Sequence, residues 1–98
     1  MLKEYVSIDL EMSGLNPKED RIIEIGAVKI INSEVADMLS VLVNPHRKLS
    51  EEIQKLTGLT DEMLAAGAED YEAVRRLLEF AEGRPFVGHH IISDVSFI

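Results

Sequence analysis

The hydrophobic period of this chain changes from that of strands to that of helices at Asn44-Pro45, and that change constrains the fold more than any other feature of the sequence. Before it, apolar and β-branched residues form short runs that suit strands. Tyr5 to Leu10 is the first run, and Ile22 to Ile31, with Gly26 and Ala27 inside it, reads as a second and mostly buried strand. Gly14, Asn16 and Pro17 separate the two, and Lys18-Glu19-Asp20 reads as loop. Asn32-Ser33 is a tight turn into a third strand over Val35 to Val43, which makes a hairpin. After Pro45 the spacing becomes three or four. Ile53 and Leu56, closed by Gly58, mark one short helix, and Thr60 caps a second that runs to about Gly67. Val74, Leu77, Leu78 and Ala81 form the stripe of a longer amphipathic helix, with Arg75, Arg76 and Glu79 on its outer side. Gly83 and Pro85 stop that helix, and Phe86-Val87-Gly88 is a short fourth strand. Ile91 onward starts a last helix that reaches Ile98 without a cap, so Phe97 and Ile98 lack a partner surface and a C-terminally truncated domain is expected. Three strands, then helices, then a strand make an α/β arrangement in one incomplete domain over residues 1–98.

Composition narrows the function classes. Ten basic and eighteen acidic residues give a net charge of −8, which argues against a non-specific nucleic-acid coat. An acidic chain still suits an enzyme whose carboxylates hold cations that meet phosphates. The chain has no cysteine, so disulfides, thiolate catalysis and cysteine-ligated zinc are excluded. Met1-Leu2-Lys3-Glu4-Tyr5 is no apolar signal region and no run approaches ~18 apolar residues, so a soluble cytoplasmic protein without membrane contact is expected.

Asp9 and Glu11 are the most informative pair. Residues two apart on a strand share a face, ~6.5 Å apart along the chain. Two carboxylates so placed repel each other unless a cation lies between them, and oxygen-only donors suit Mg²⁺ or Mn²⁺. Taken alone the pair reads as a solvated strand edge, since Asp-x-Glu recurs by chance in many proteins. Its surroundings are more specific. Asp9-Leu10-Glu11-Met12-Ser13-Gly14-Leu15, followed by Ile22-Ile23-Glu24-Ile25-Gly26-Ala27-Val28, resembles the first motif of the DEDD (DnaQ-like) 3′–5′ exonucleases. Leu56-Thr57-Gly58-Leu59-Thr60 stands where that family carries a His-Gly-Ile-Thr type segment. Val87-Gly88-His89-His90-Ile91-Ile92-Ser93-Asp94 resembles its second motif. The three matches run in family order and cover nearly the whole chain, and they are similar to the proofreading exonuclease of bacterial DNA polymerase III.

The resemblance implies a ribonuclease-H-like mixed sheet, with a three-stranded antiparallel start plus a parallel strand, flanked by helices. It carries Asp9, Glu11 and Asp94 over as catalytic residues and metal ligands, and Met12, Ser13, Gly14, Leu15, Leu56, Thr57 and His89 as substrate-binding residues, the first four of them lining the terminal nucleotide. It implies phosphodiester hydrolysis with two Mg²⁺ or Mn²⁺ ions, which activate water and stabilise the leaving 3′ oxygen. The expected substrate is a single-stranded DNA 3′ end, with RNA as the alternative, and a DNA polymerase is the expected partner. The family's third motif, with its fourth carboxylate and a His or Tyr general base, is absent from the 98 residues, so these residues alone are expected to be inactive or nearly so and to self-associate through the exposed face. His90 replaces the family's usual Asn and Ser93 its usual aromatic. Two alternatives are a non-catalytic nucleic-acid or polymerase-binding module with the same fold and an oligoribonuclease-like RNA exonuclease. Glu24 is expected to be structural, and His46, Arg47 and Lys48 to form a solvated basic turn.

Overall fold

A computed structural model describes residues 3–14, 16 and 18–88. Its strands are β1 (Glu4–Met12), β2 (Ile22–Ile31), β3 (Glu34–Leu42) and β4 (Phe86–Gly88), and its helices are α1 (Glu51–Thr57), α2 (Asp61–Ala65) and α3 (Asp70–Ala81). The sheet order is β3-β2-β1-β4. Strands β1 to β3 are antiparallel neighbours, and β4 pairs parallel to β1, with Val6 opposite Phe86 and Ile8 opposite Gly88. The expected mixed sheet with helices is therefore present.

Local chemistry explains the element ends. Asn32 and Ser33 both take positive φ, 52° and 66°, which gives the β2–β3 hairpin a turn whose twist matches its strands. Ser50 and Thr60 accept hydrogen bonds from Ile53 N and Met63 N, so each of the two short helices has a side-chain cap at its start. Gly58 closes α1 at φ 77°, and its N–H donates to the Gln54 carbonyl.

Two apolar clusters hold these parts together. The larger joins Val6, Ile8 and Leu10 of β1 with Ile25 and Ala27 of β2, Val41 of β3, and Ala73, Leu77 and Ala81 of α3. The smaller gathers Ile23, Leu49, Leu59 and Leu64, with Leu42 and Ile53 packed against it, and so docks α1 and α2. A register shift at Glu11/Met12 accompanies the burial of the successive residues Ile22 and Ile23, which enter different clusters. Where α3 leads into β4, the buried Lys29 ammonium lies 2.6 Å from Glu82 and 4.7 Å from the centre of the Phe80 ring. That ammonium holds the Glu82 carboxyl below the usual carboxylate range.

The buried stripe of α3 differs from the one expected. Ala73, Leu77 and Ala81 face the sheet, Val74 is half-buried, and Leu78 is 57% exposed. Two alanines let the helix lie close to the sheet, and the bulkier Val74 and Leu78 turn outward. Leu77→Ala is therefore expected to cost about 2–5 kcal/mol of stability, whereas Leu78→Ala costs under about 1 kcal/mol. Denaturant unfolding of the two variants checks this. Equal losses would return Leu78 to the core.

Candidate active site

The site begins with the pleat of β1. Val6, Ile8 and Leu10 are buried on the α3 side, so the residues between them point to the other face. Asp9 is exposed there and Glu11 is half-buried. The register with β2 adds to this face, because Asp9 stands opposite Gly26 and Glu11 opposite Glu24. Gly26 carries no side chain, which leaves the ground beside Asp9 open. Glu24 brings a third carboxylate toward Glu11.

Charge crowding shows in the Glu11 carboxyl, which is pushed above the ordinary glutamate range first by burial, then by the charge of Asp9, and then by that of Glu24. Such a group is relieved by a proton or by a cation. The donors of Asp9, Glu11 and Glu24 are all oxygen, which suits a hard divalent ion such as Mg²⁺ or Mn²⁺ better than zinc. Among the described residues, no three His, Asp or Glu side chains form a group that could hold a metal ion unaided. Asp94 and His89 lie outside the described residues. Strand β4 nevertheless heads toward the carboxylates, since it ends at Gly88 opposite Ile8, one residue before Asp9 on the parallel neighbour.

The loop after β1 is built around Asp20. One Asp20 oxygen accepts from the Ser13 hydroxyl at 3.0 Å and the other from Asn16 N at 3.0 Å. Ser13 Oγ in turn accepts from Arg21 N at 2.9 Å, and Ser13 N donates to the Arg21 carbonyl at 2.8 Å. Gly14 sits directly on that carboxylate. A Cβ built on Gly14 would meet Asp20 Oδ2 at 2.3 Å, which no real side chain tolerates without displacing it.

The remaining residues expected at the site fall in different places. Met12 packs against the larger core cluster, and the Ser13 hydroxyl is engaged inside the loop. Leu15 lies outside the described residues. Leu56 is 79% exposed at the end of α1. Thr57 uses its hydroxyl locally, donating to the Ile53 carbonyl and accepting from Leu59 N. Leu42 shares a sheet face with Glu24, its partner across β2 and β3, so the cluster that docks α1 abuts the carboxylate side.

Other surface features stand apart from the carboxylates. A groove of about 540 Å³ lies between residues 18–22 and the outer side of α3, where Tyr71, Val74, Arg75 and Leu78 line it, and neither Asp9, Glu11 nor Glu24 reaches it. His46 and Arg47 are exposed, as the basic-turn reading expects: His46 Nε2 lies 2.7 Å from Glu69, and the Arg47 guanidinium donates to the Glu19 carbonyl. The sequence reading missed Glu24 and Asp20 as neighbours of the site. Pairing the two apolar runs as a hairpin-like ladder would have found Glu24, since it fixes which residues of β2 face Glu11. Asp20 had no comparable signal, because its contacts belong to the path of an irregular loop.

The family model described as exonuclease, of the RNase T type, matches residues 6–98. The PolC-type DNA polymerase III of Caldanaerobacter subterraneus subsp. tengcongensis is 43% identical over 95 residues, covering 97% of this chain and 7% of that protein. The PolC-type DNA polymerase III of Staphylococcus aureus is 40% identical over 94 residues, covering 96% of this chain and 7% of that protein. The chain thus spans only a small part of the length of these curated relatives. Among solved structures, exonuclease X in complex with 5′-overhanging duplex DNA superposes with a TM-score of 0.81 at 23% identity, covering 96% of this chain and 53% of that one. Exonuclease I from Methylocaldum szegediense gives a TM-score of 0.82 at 19% identity, covering 98% and 22%. Those two likenesses carry the fold, the first motif supplies the paired carboxylates on its central strand, and the chain belongs to the RNase T exonuclease family.

Proposed function

We propose that this chain carries carboxylates of a metal-dependent 3′–5′ exonuclease site that removes nucleotides from DNA 3′ ends. The observation that carries the reading is the pair Asp9 and Glu11 on one face of the central strand, with the Glu11 carboxyl destabilised as an anion by burial and by its neighbours. The likeness to PolC-type DNA polymerases III favours DNA over RNA and a polymerase as partner. Asp9 and Glu11, joined by Asp94 from the second motif, would hold Mg²⁺ or Mn²⁺. When bound, these ions would lower the pKa of a water and offset charge on the leaving 3′ oxygen. Ser13, Gly14 and Leu15 would bound the terminal nucleotide, with Met12 supporting them from the core side and Leu56, Thr57 and His89 at the flanks. The family resemblance assigns a fourth carboxylate and a general base to a third motif, so turnover would need that motif together with Asp9, Glu11 and Asp94.

Protonation gives a test that needs no activity. The folded Glu11 pKa is raised, so the folded state binds that proton more tightly than the unfolded chain does. The corresponding stability is fully present below the unfolded glutamate pKa and is lost as pH rises through the folded one. Glu11→Gln should therefore stabilise the metal-free protein at pH 7 by up to about 1 kcal/mol, the scale of like charges opposed across strands. The gain should fade in acid, near pH ~4. Unfolding midpoints across that range check it, and a destabilised Glu11→Gln at pH 7 would contradict it.

Calorimetric titration tests the metal assignment. Asp9→Asn should weaken Mn²⁺ binding, and binding equal to that of the unsubstituted protein would remove Asp9 from the site. Release of mononucleotides from a labelled single strand tests the reaction. The full-length product should release them with Mn²⁺ from the 3′ end, and Glu11→Ala should reduce the rate by at least ~10²-fold. A full-length product that binds single-stranded DNA but releases nothing would favour the non-catalytic module.

A further inference from the structure

We propose that Asp20 is a positioning residue for the terminal nucleotide, acting by tying Ser13 and Asn16 N to one carboxylate against which Gly14 lies. The inference rests on the exonuclease reading, which places that turn beside the substrate. Both Asp20 oxygens are engaged, one by the Ser13 hydroxyl and one by Asn16 N, at 3.0 Å each. Ser13 Oγ is held from a second side by Arg21 N, which belongs to the entry into β2. Asp20 N also donates to the Asn16 carbonyl at 2.7 Å, so carboxylate and backbone close the same turn. The turn begins two residues after Glu11, and its other end leads into the strand that carries Glu24.

The fit between Gly14 and Asp20 is what makes the arrangement specific. With a Cβ only 2.3 Å from Oδ2 and 2.6 Å from the carboxyl carbon, a larger residue at position 14 would require the Asp20 carboxylate to move off its two donors. The carboxylate in turn needs two donors, and the turn supplies them. Asparagine at position 20 keeps one acceptor oxygen and loses the other, because both partners here are donors. Alanine loses both. A loop displaced by ~1 Å can lower reaction efficiency by ~10²-fold without touching the chemistry. A loop that contacts substrate similarly before and during reaction acts on KM rather than kcat.

The test uses the full-length protein and a labelled single-stranded oligonucleotide with Mn²⁺. Asp20→Ala should raise KM about 10-fold or more with kcat within about 3-fold, and leave Mn²⁺ affinity unchanged. Asp20→Asn should fall between it and the unsubstituted protein, and serves in its place should Asp20→Ala fail to fold. Gly14→Ala should raise KM likewise, and Gly14→Ala/Asp20→Ala should be no worse than the worse single variant, because removing the carboxylate makes room for the methyl. Reduced kcat at unchanged KM would overturn the proposal and leave Asp20 a structural anchor only, and so would full additivity in the double variant. Equilibrium binding of the same oligonucleotide separates this from failure of the exonuclease reading. A protein that binds but releases nothing overturns that reading alone, with the Asp20→Ala loss then read in Kd. Equal Kd for Asp20→Ala and the unsubstituted protein overturns the positioning role.

Discussion

Strand β1 is paired along both edges, antiparallel to β2 and parallel to β4, and this double pairing fixes the direction of every side chain it carries. A slip of one residue would exchange the two faces. It would place Asp9 and Glu11 against Ala73, Leu77 and Ala81 of α3, and would expose Val6, Ile8 and Leu10. Burying two unpaired carboxylates costs far more than any strand pairing recovers. The apolar face of β1 therefore sets the register, and the register delivers the acidic face. The hydrophobic core and the site are two sides of one strand.

The acidic face is unfavourable in its own right. Glu11 is partly withdrawn from water and stands near the charges of Asp9 and Glu24. Proteins seldom keep such an arrangement for stability, and crowded carboxylates with raised pKa values are a mark of functional sites. The rest of the described structure offers no compensating cation at Glu11. The buried basic side chain Lys29 stands opposite Val6 on the α3 face of the sheet and is committed to Glu82 and the Phe80 ring. Arg75 and Arg76 are bound up with Glu72 and Glu79 on the outer side of α3. A divalent ion supplied from solution is the partner we propose for these oxygen donors.

Much of this was legible in the sequence because it depends on local rules. The bounds of β2, the Asn32-Ser33 turn, the Gly58 stop and the Thr60 cap follow from backbone preferences of a few neighbouring residues. The Asp9 and Glu11 face follows from a period of two. What escaped depends on contacts between distant segments. The α3 stripe passes through two alanines, whose weak hydrophobicity hides how closely the helix meets the sheet, so the larger Val74 and Leu78 drew the reading round the helix by part of a turn. Glu24 looked structural until the β1–β2 register set it across from Glu11. Asp20 looked like loop polarity, and only the folded turn shows its carboxylate beneath Gly14.

The central claim is that the carboxylates of Asp9 and Glu11 are held in mutual repulsion until a divalent cation arrives. Carbon-13 NMR titration of the glutamate side chains, with and without Mg²⁺, reads this at the atoms concerned. The account predicts a Glu11 carboxyl that titrates above the ordinary glutamate range without metal and moves below it when Mg²⁺ is present. A Glu11 that titrates as an ordinary glutamate and ignores Mg²⁺ would contradict it.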